Sequence, residues 1–335
     1  MNRPPQFPIP VTAAGHTPLR RPGSIRRTTS IDSAWPEGLL APRIMRGGAR
    51  DLLTTGEAQA RELARASFAL TVSPRREILA LETAPAWPEA QDLVGVAAGT
   101  PGGSSRARLA AALGHRAGEP LYQLLDDYSG ASLVSVWAWM RWAEVTGEER
   151  PTYSHPFNMV DICIGHAAGA SSLRPDGSSN HEIQKMVPVG PFVNPADPDG
   201  WHALALQVAP AHRRARRIDV WRDGAAVKVD SWFQDSAAMP DGGRIAVHEY
   251  AVNATVDVAG IITELTADAL ILPYAECPGS VTQVHRLIGK PAAGLRDTVS
   301  VELAGPLGCT HLNDVLRALA DVPALAAQLP VESLA

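Results

Sequence analysis

The stretch that decides the fold is Ile218-Asp219-Val220-Trp221-Arg222-Asp223-Gly224, followed by Val227-Lys228-Val229-Asp230. Apolar and polar residues alternate on both sides of Asp-Gly, which predicts two strands joined in a β-hairpin. A turn over residues 240–243 then leads into a strand over residues 244–258, in which every second residue from His248 onward shares one face. Residues 261–272 predict another strand, so this part of the chain is an antiparallel sheet.

Two helices are predicted after these strands, and a cysteine stands at the start of each. Cys277 precedes Pro278 and an apolar stripe, and Cys309 lies in Gly308-Cys309-Thr310-His311-Leu312, ahead of a second stripe that Pro323 closes. A thiol at a helix N-terminus is stabilised as the thiolate by the helix dipole. The pattern therefore predicts two activated thiols, with His311 in the entry turn beside the second.

Length and composition limit the classes of protein. The chain has 335 residues, of which 45% are hydrophobic and 19% charged, as in ordinary globular proteins. A net charge of −5 provides no field that attracts nucleic acid or anionic membranes, and neither partner is expected. Three cysteines fit a reducing compartment, and no apolar segment indicates a signal peptide or a membrane span. The sequence predicts a cytoplasmic protein.

Changes in composition divide the chain. Six prolines fall in the first 23 residues, and a Gly/Pro/Ser stretch covers residues 99–105. The fold class predicted is α+β, an antiparallel sheet with helices packed on one face, plus a helical Trp-rich insertion. The predicted parts are an extended Pro-rich arm over 1–23, N-terminal strands of the sheet over 24–98, a helical and loop-rich insertion over 99–212, the C-terminal antiparallel sheet plus two helices over 213–325, and a tail over 326–335.

The insertion contains a helical segment that is apolar on nearly all sides. It carries Trp137, Trp139 and Trp142 within residues 134–142. We expect these tryptophans to form the wall of a substrate pocket for a small apolar molecule. The alternative is an assembly surface between copies of the chain in a homo-oligomer.

Cys277, Cys309 and His311, called here the Cys/His cluster, are the predicted metal ligands. Two thiolates with an imidazole form a borderline-soft set that suits zinc, and mixed Cys/His sites also hold iron. The alternative is that both cysteines are small buried apolar residues, because free cysteine is among the most buried residue types. Both alternatives stay open at the level of sequence.

The predicted catalytic residues are Cys309, His311, Cys277, His248 and Asp235. His248 and Asp235 lie on neighbouring predicted strands and could add a buried acid–base pair to the two thiols and His311. The alternative for His248 is a core histidine with one satisfied ring nitrogen. Two further features are interpreted as structural: Cys163 as the core of an apolar strand, and the charge run of residues 213–217 as a solvated strand entry.

Several short segments together resemble one bacterial family, the domain of unknown function 2889. The resemblance covers most of residues 20–325, and its closing Gly-Cys-Thr-His-Leu is its most specific part. The family implies no activity. The segments are Arg26-Arg27-Thr28, Met159-Val160-Asp161-Ile162-Cys163-Ile164-Gly165, Trp201-His202, Asp230 to Ser236, His248-Glu249-Tyr250, Glu276-Cys277-Pro278 and Gly308-Cys309-Thr310-His311-Leu312.

The order of elements is also similar to that of iron–sulfur scaffold and sulfur-acceptor proteins, in which thiols open the helices that follow an antiparallel sheet. Such scaffolds use three thiols and an acid. Here the expected third thiol is absent from the loop before the strands, and His311 and His248 are the nearest substitutes. The resemblance implies a site for a metal or for sulfur.

The functional prediction is an enzyme that acts on a small, largely apolar molecule through the Cys/His cluster. Two alternatives remain: a non-enzymatic carrier of metal or sulfur, and a structural or interaction protein with inert cysteines. No Gly-x-Gly-x-x-Gly motif, Walker loop or Gly-x-Ser-x-Gly elbow occurs, so nucleotide-binding and serine-hydrolase functions have no support.

Overall fold

The computed structural model describes residues 3–98, 105–147, 158–208 and 210–330. Its centre is a nine-stranded sheet in which every pair of neighbours is antiparallel, with the order β4-β3-β2-β1-β6-β7-β8-β5 and with β9 also pairing with β8. The strands are β1 (Ser24–Ala34), β2 (Arg43–Thr54), β3 (Ala60–Val72), β4 (Ile78–Ala84), β5 (Val187–Val189), β6 (Ala211–Asp223), β7 (Ala226–Ala238), β8 (Arg244–Val256) and β9 (Ile262–Ile271).

The predicted hairpin joins β6 to β7. Asp223 pairs with Ala226, and Gly224 takes a φ of 60°, a conformation that glycine adopts without a steric penalty. Strands from segment 24–98 and from segment 213–325 form one sheet, because β1 pairs with β6 along its whole length.

The helices lie mainly on one face of this sheet. Helix α2 is the longest and packs across β1, β2, β3, β6 and β7, while the later helices cover the C-terminal strands. The α-helices are α1 (Ser105–Leu113), α2 (Pro120–Thr146), α3 (Leu295–Glu302), α4 (Thr310–Ala318) and α5 (Val322–Ala326), and the longest 3-10 segment is Cys277–Leu287. The architecture is α+β, as predicted.

Segments without regular helices or strands cover parts of the sheet. The N-terminal arm runs beside β9, where the Phe7 amide donates to the carbonyl of Ala275 and the Thr12 amide to that of Leu270. On the sheet face opposite α2, Phe192 and Trp201 pack on Trp232 of β7. Residues 99–104 of the Gly/Pro/Ser stretch and 331–335 of the predicted tail lie outside the described residues.

The two central strands repeat one pattern of seven residues. Arg26-Arg27-Thr28-Thr29-Ser30-Ile31-Asp32 of β1 corresponds to Arg213-Arg214-Ala215-Arg216-Arg217-Ile218-Asp219 of β6. The strands are antiparallel, so the first arginine of each pattern meets the last aspartate of the other. Arg26 binds Asp219 through two bonds of 2.6 and 2.8 Å, and Arg213 binds Asp32 through two of 2.7 and 2.6 Å.

The second arginine of each pattern points to the helices and binds two aspartates. Arg27 makes two bonds of 2.6 Å to Asp51 on β2 and one of 2.8 Å to Asp321. Arg214 makes bonds of 3.0 and 2.9 Å to Asp235 on β7 and one of 2.6 Å to Asp314 on α4. These six residues, each at most 3% exposed, form a buried ion-pair layer between the sheet and the helices.

The charge run of residues 213–217 is therefore not solvated, which corrects its interpretation from sequence. Its arginines lie on both faces of β6. Arg213, Arg214 and Arg216 each meet a carboxylate from a distant part of the chain, whereas Arg217 pairs with Asp219 and with Asp230 of the neighbouring strand. The four are 7%, 2%, 0% and 3% exposed at Arg213, Arg214, Arg216 and Arg217. Buried charges persist only when they are paired in this way.

Candidate functional site

All three cysteines of the chain lie on the helix side of strands β6 to β9. These strands are called here the C-terminal half of the sheet, and β1 to β4 are its N-terminal half. Cys277 is the first residue of the 3-10 segment, and Cys309 is the N-cap of α4, as the sequence predicts for their positions. A Cβ built on Gly165 would lie 2.6 Å from the sulfur of Cys277 and 3.7 Å from that of Cys163. The Ile164 amide donates to the Gly308 carbonyl at 2.8 Å, which joins the Cys163 loop to the Cys309 loop.

Cys163 is therefore not in a strand, contrary to the prediction. It precedes the short 3-10 turn Ile164–His166 within a long loop, and it is partly exposed, whereas Cys277 and Cys309 are 4% and 2% exposed. The apolar run around it resembles a strand, but Gly165 takes part in a close contact with Cys277 that only a residue without a side chain permits. The sequence analysis thus missed one thiol of the site.

Burial raises the pKa of all three thiols, which for Cys277 and Cys309 is the opposite of the direction expected from their helix starts. The pKa of Cys277 lies well above its ordinary value, and that of Cys163 is raised to about 12. The pKa of Cys309 is also raised by burial, although the Tyr250 hydroxyl and the amides of Leu312 and His311 act to lower it. The metal-free thiols are therefore protonated at neutral pH.

His311 lies between a thiol and a carboxylate. Its Nδ1 is 3.9 Å from the sulfur of Cys309, and its Nε2 is 3.7 Å from Oδ2 of Asp235. Burial lowers the pKa of His311 to about 4, so the ring is neutral and one of its nitrogens carries a lone pair. His311 thus lies beside Cys309 and Asp235, and their catalytic roles stay a prediction.

Asp235 is held firmly in the ion-pair layer. Besides the two bonds from Arg214, it lies 3.2 Å from Nε2 of His212. Burial acts to raise the pKa of Asp235, but Arg214 and His212 outweigh it and hold the pKa well below the usual range. Asp235 is therefore an ionised carboxylate with a fixed orientation.

His248 completes a compact group with Asp235 and His311. It pairs in register with Asp235 across β7 and β8, and its ring stacks on that of His311 with centroids 3.4 Å apart. Nδ1 of His248 is buried and has no hydrogen-bond partner, and burial, with His311, places the pKa of the ring well below its ordinary value. One ligand atom from each of the three residues lies within 4.8 Å of the others.

A second thiol–imidazole pair lies next to the first. The sulfur of Cys163 is 3.6 Å from Nδ1 of His166, and Nε2 of His166 is 2.7 Å from the hydroxyl of Ser179. Burial lowers the pKa of His166 to about 4. The spacing Cys163-x-x-His166 was the signal in the sequence that could have identified this pair.

The tryptophans form an apolar cluster of their own. Trp137 is buried with Trp35, Ala237 and Val247, and Trp139 packs at its edge, whereas Cys277 and Cys309 belong to the larger core of the C-terminal half. Ala237 and Val247 lie close in sequence to Asp235 and His248, so this cluster borders the site on the sheet. Trp142 is only partly buried. A pocket wall over the Cys/His cluster stays a prediction.

Two open clefts, of about 580 and 330 Å³, lie on the N-terminal half of the sheet and share the lining residues Arg46, Gly47, Ser67 and Ala84. No helix in the described part of the chain is long and apolar enough to cross a bilayer.

Comparison with known proteins gave one family. Residues 212–325 match the family described as Protein of unknown function (DUF2889), and no curated protein and no solved structure matched the chain. Asp235, His248 and the Cys/His cluster lie inside the matched segment, whereas Cys163 and the tryptophans precede it. The resemblance to the domain of unknown function 2889 predicted from the sequence is therefore confirmed over residues 212–325.

Proposed function

We propose that this protein is an enzyme that acts on a small, largely apolar molecule at a metal centre whose ligands are Cys277, Cys309 and His311. The observation that carries the proposal is the position of His311, whose two ring nitrogens face the Cys309 thiol and the Asp235 carboxylate at 3.9 and 3.7 Å. A zinc or iron ion is the class that this donor set suits.

The carboxylate side of His311 resembles the outer shell of a metal site. A histidine that binds a metal usually donates its other ring N–H to a carboxylate, which fixes the tautomer and the ring orientation. Asp235 is ionised and is itself fixed by Arg214. It can therefore accept from Nε2 of His311 while Nδ1 presents its lone pair to an ion beside Cys309.

The distance between the Cys309 sulfur and Nδ1 of His311 is close to that between two ligands of one ion. With a metal–sulfur distance of about 2.3 Å and a metal–nitrogen distance of about 2.0 Å, a tetrahedral site separates the two ligand atoms by about 3.5 Å. The 3.9 Å between Cys309 and His311 needs only a small adjustment.

Charge favours the thiols over Asp235 and His248 as ligands. In the ion-pair layer, Arg214 already neutralises part of the charge of Asp235 and Asp314, so a divalent ion there needs new negative charge. Cys277 and Cys309 supply it by losing their protons to solvent when the metal binds. The parallel rings of His248 and His311 also cannot both direct an in-plane lone pair at one ion.

Two features favour an enzyme over a carrier. Three protein ligands leave a fourth position for water or substrate, which is the arrangement of catalytic zinc sites. His248, neutral and with a free Nδ1, lies against His311 and can accept a hydrogen bond from a molecule bound there. Cys277 and Cys309 belong to the main apolar core, which favours an apolar substrate.

A metal-free enzyme is the second candidate, and the same arrangement of Cys309, His311 and Asp235 favours it. Cys309 would be the nucleophile, His311 the base that takes its proton, and Asp235 the group that orients the base. This function requires that Cys309 ionise without a metal, against the effect of its burial.

Alkylation with iodoacetamide at neutral pH, with each cysteine followed by mass spectrometry, tests the proposal. We expect zinc-loaded protein to be slowly labelled at Cys277 and Cys309, and a chelator to accelerate that labelling. Fast labelling of Cys309 without a chelator, unchanged by added zinc, would reject the metal centre in favour of the second candidate. Equal inertness with zinc, with a chelator and with neither, in protein that retains no zinc after dialysis, would reject both, because the cysteines would then be packing residues.

A further inference from the structure

The larger of the two clefts lies on the sheet face away from α2, over the N-terminal half. It has a volume of about 580 Å³, and Gly47 and Gly48 of β2 are among its lining residues. A Cβ built on Gly48 would lie 3.2 Å from the ring of His202, which lines one side of the cleft, while Ala84 and Pro85 line the other. This volume falls within the range of small-molecule sites.

The same position in the C-terminal half of the sheet is filled. Gly48 pairs with Ser30, the fifth residue of the seven-residue pattern in β1, and Trp232 pairs with Arg217, the fifth residue of the pattern in β6. Trp232 packs edge-on against Trp201, with ring centroids 5.9 Å apart. The N-terminal half thus has a glycine and open space where the other half has a tryptophan and an apolar cluster.

Three arginines surround Gly48 in the N-terminal half. Arg46 and Arg50 lie two residues before and after Gly48 on β2, and Arg65 lies directly opposite Arg50 on β3. Like charges directly opposite each other in an antiparallel pair destabilise a sheet. The Arg50–Arg65 pair therefore costs stability unless negative charge lies beside the two guanidinium groups.

Carboxylates compensate this charge only in part. Asp32 lines the cleft, but its two oxygens accept from Arg213 at 2.7 and 2.6 Å. Glu62 pairs with Arg65, but both side chains are exposed, and such surface pairs are weak. Glu82 is exposed and lines only the smaller cleft.

Arg50 is left without a carboxylate. It is 9% exposed, its guanidinium donates to the carbonyl of Asp199, and no ion pair joins it to a carboxylate in the described part of the chain. Burial, followed by Arg65, lowers the pKa of Arg50. Burial, followed by Arg50, Arg213 and Arg65, also lowers the pKa of His202 to about 3. Positive charge therefore prevails at the His202 side of the cleft.

We propose that this cleft binds a small molecule that carries a carboxylate or phosphate group, with the anionic oxygens at Arg65 beside Arg50 and an apolar body over Gly48. A guanidinium group binds either anion through paired hydrogen bonds. The small side chains of Ala84 and Ala203 line the cleft and leave room for the apolar body. The site lies on the opposite face of the sheet from the Cys/His cluster, so it does not depend on the proposed metal centre.

Isothermal titration calorimetry of the full-length protein with phenyl phosphate and with benzoate tests this inference, and benzamide serves as the neutral analogue of benzoate. We expect at least one of the two anions to bind, and benzamide to bind at least about tenfold more weakly, because it cannot form charge-assisted bonds on both sides. The anion that binds more tightly identifies the site as one for phosphates or one for carboxylates.

Two variants locate the binding. Arg65→Met should weaken the binding of the anion by at least about tenfold, whereas binding at a metal ion would not change. Arg75→Met removes an exposed arginine that does not line the cleft and should bind as the wild type does. Ser67→Phe keeps every arginine but fills the cleft, because Ser67 lines it and pairs with Gly48, and it should abolish binding.

Several results would overturn the inference, provided that circular dichroism shows each variant to be folded. They are no binding of either anion at millimolar concentration, equal binding of benzamide, and unchanged binding in Arg65→Met. An equal loss in Arg75→Met would indicate a general effect of charge. Unchanged binding in Ser67→Phe would place the ligand outside the cleft. Each of these results leaves the proposed metal centre untouched, because its test concerns the thiols.

Discussion

Both halves of the sheet contain the same seven-residue arginine pattern, but different residues surround its second arginine in each half. In the N-terminal half, Arg27 binds Asp51, and Asp51 pairs in register with Ala64. In the C-terminal half, Arg214 binds Asp235, and the residue in register with Asp235 is His248. The shared ion pairs therefore belong to the architecture, whereas His248, His311 and the two helix-start thiols belong to one half only.

The arginine–aspartate pairs stabilise the fold in both halves, whereas the residues of the candidate site occur in one. A carboxylate bound by a buried arginine is present in both halves, so its first role is to join the sheet to the helices. Of Asp51 and Asp235, only Asp235 also faces imidazoles, those of His212 and His311, and only its half contains Cys277 and Cys309. The site is thus an addition built on a structural ion pair, which also explains why Asp235 has a fixed orientation.

The largest effect is expected from breaking the ion-pair layer in either half. Arg27→Met leaves Asp51 without its ion-pair partner, and Arg214→Met leaves Asp235 with only histidines beside it, although Arg296 still binds Asp321 and Arg106 still binds Asp314. Each change should cost about 3–5 kcal/mol of the free energy of unfolding. Urea denaturation followed by circular dichroism measures it. Arg65→Ala, at an exposed pair with Glu62, should change stability by less than about 1 kcal/mol. A small effect at Arg27 alone would show that the two halves are not equivalent.

The next effect concerns pH and the N-terminal half. His202 lies between Thr28 and Ser30, and burial, followed by the nearby Arg50, lowers its pKa to about 3. Burial favours the neutral ring in the folded state. The contribution of this ring to the free energy of unfolding is therefore complete above pH 6.5, the ordinary pKa of histidine, and is lost as the pH falls toward 3. Between these two pH values the free energy of unfolding should fall by on the order of 1 kcal/mol for each pH unit of acidification. His202→Gln should show a shallower slope in urea denaturation between pH 6.5 and 4, and an identical slope would contradict this assignment.

A smaller effect distinguishes His248 from His202. His248→Phe keeps a ring against His311 and removes a buried nitrogen without a partner, so stability should stay the same or rise by up to about 1–3 kcal/mol. His202→Phe removes two hydrogen bonds and should destabilise the protein. Cobalt binding decides the ligand set: His248→Phe should retain the ion, and its loss would indicate Asp235, His248 and His311 as the ligands.

The smallest effect is expected at the edge of the tryptophan segment. Trp142→Ala should cost less than Trp137→Ala, because Trp137 is buried against Ala237 and Val247 whereas Trp142 is only partly buried. The cost at Trp137 should approach the roughly 3–5 kcal/mol of a core aromatic residue. Thermal unfolding of both variants measures the difference. Equal costs would mean that α2 is buried equally on both sides.

Local patterns were sufficient for the elements that carry the site. The Asp-Gly turn and the alternation around it predicted β6 and β7, and the position of Cys309 at the start of α4 followed from its apolar stripe. His248 and Asp235 were placed on neighbouring strands for the same reason. These features depend on residues close together in the chain.

Features that depend on distant residues were not predictable. Nothing in the sequence near Arg214 indicates that Asp314 lies 100 positions away in the same ion pair. Cys163 was missed because its apolar neighbours resemble a strand, while its real surroundings are Gly165, Cys277 and Thr310. The expected thiolate activation was wrong in direction because the helix dipole is local, whereas the burial that raises the pKa is set by the whole fold.

The central claim is that the additions to the C-terminal half form a metal centre. Elemental analysis of protein expressed with zinc and iron in the medium, and purified without a metal-affinity tag, tests it most directly. We expect about one zinc or iron ion per chain, retained after dialysis, and a loss of that ion in Cys309→Ser but not in Ile162→Ser. A folded wild-type protein that contains no stoichiometric metal, and that takes up none when zinc is added, would contradict the account.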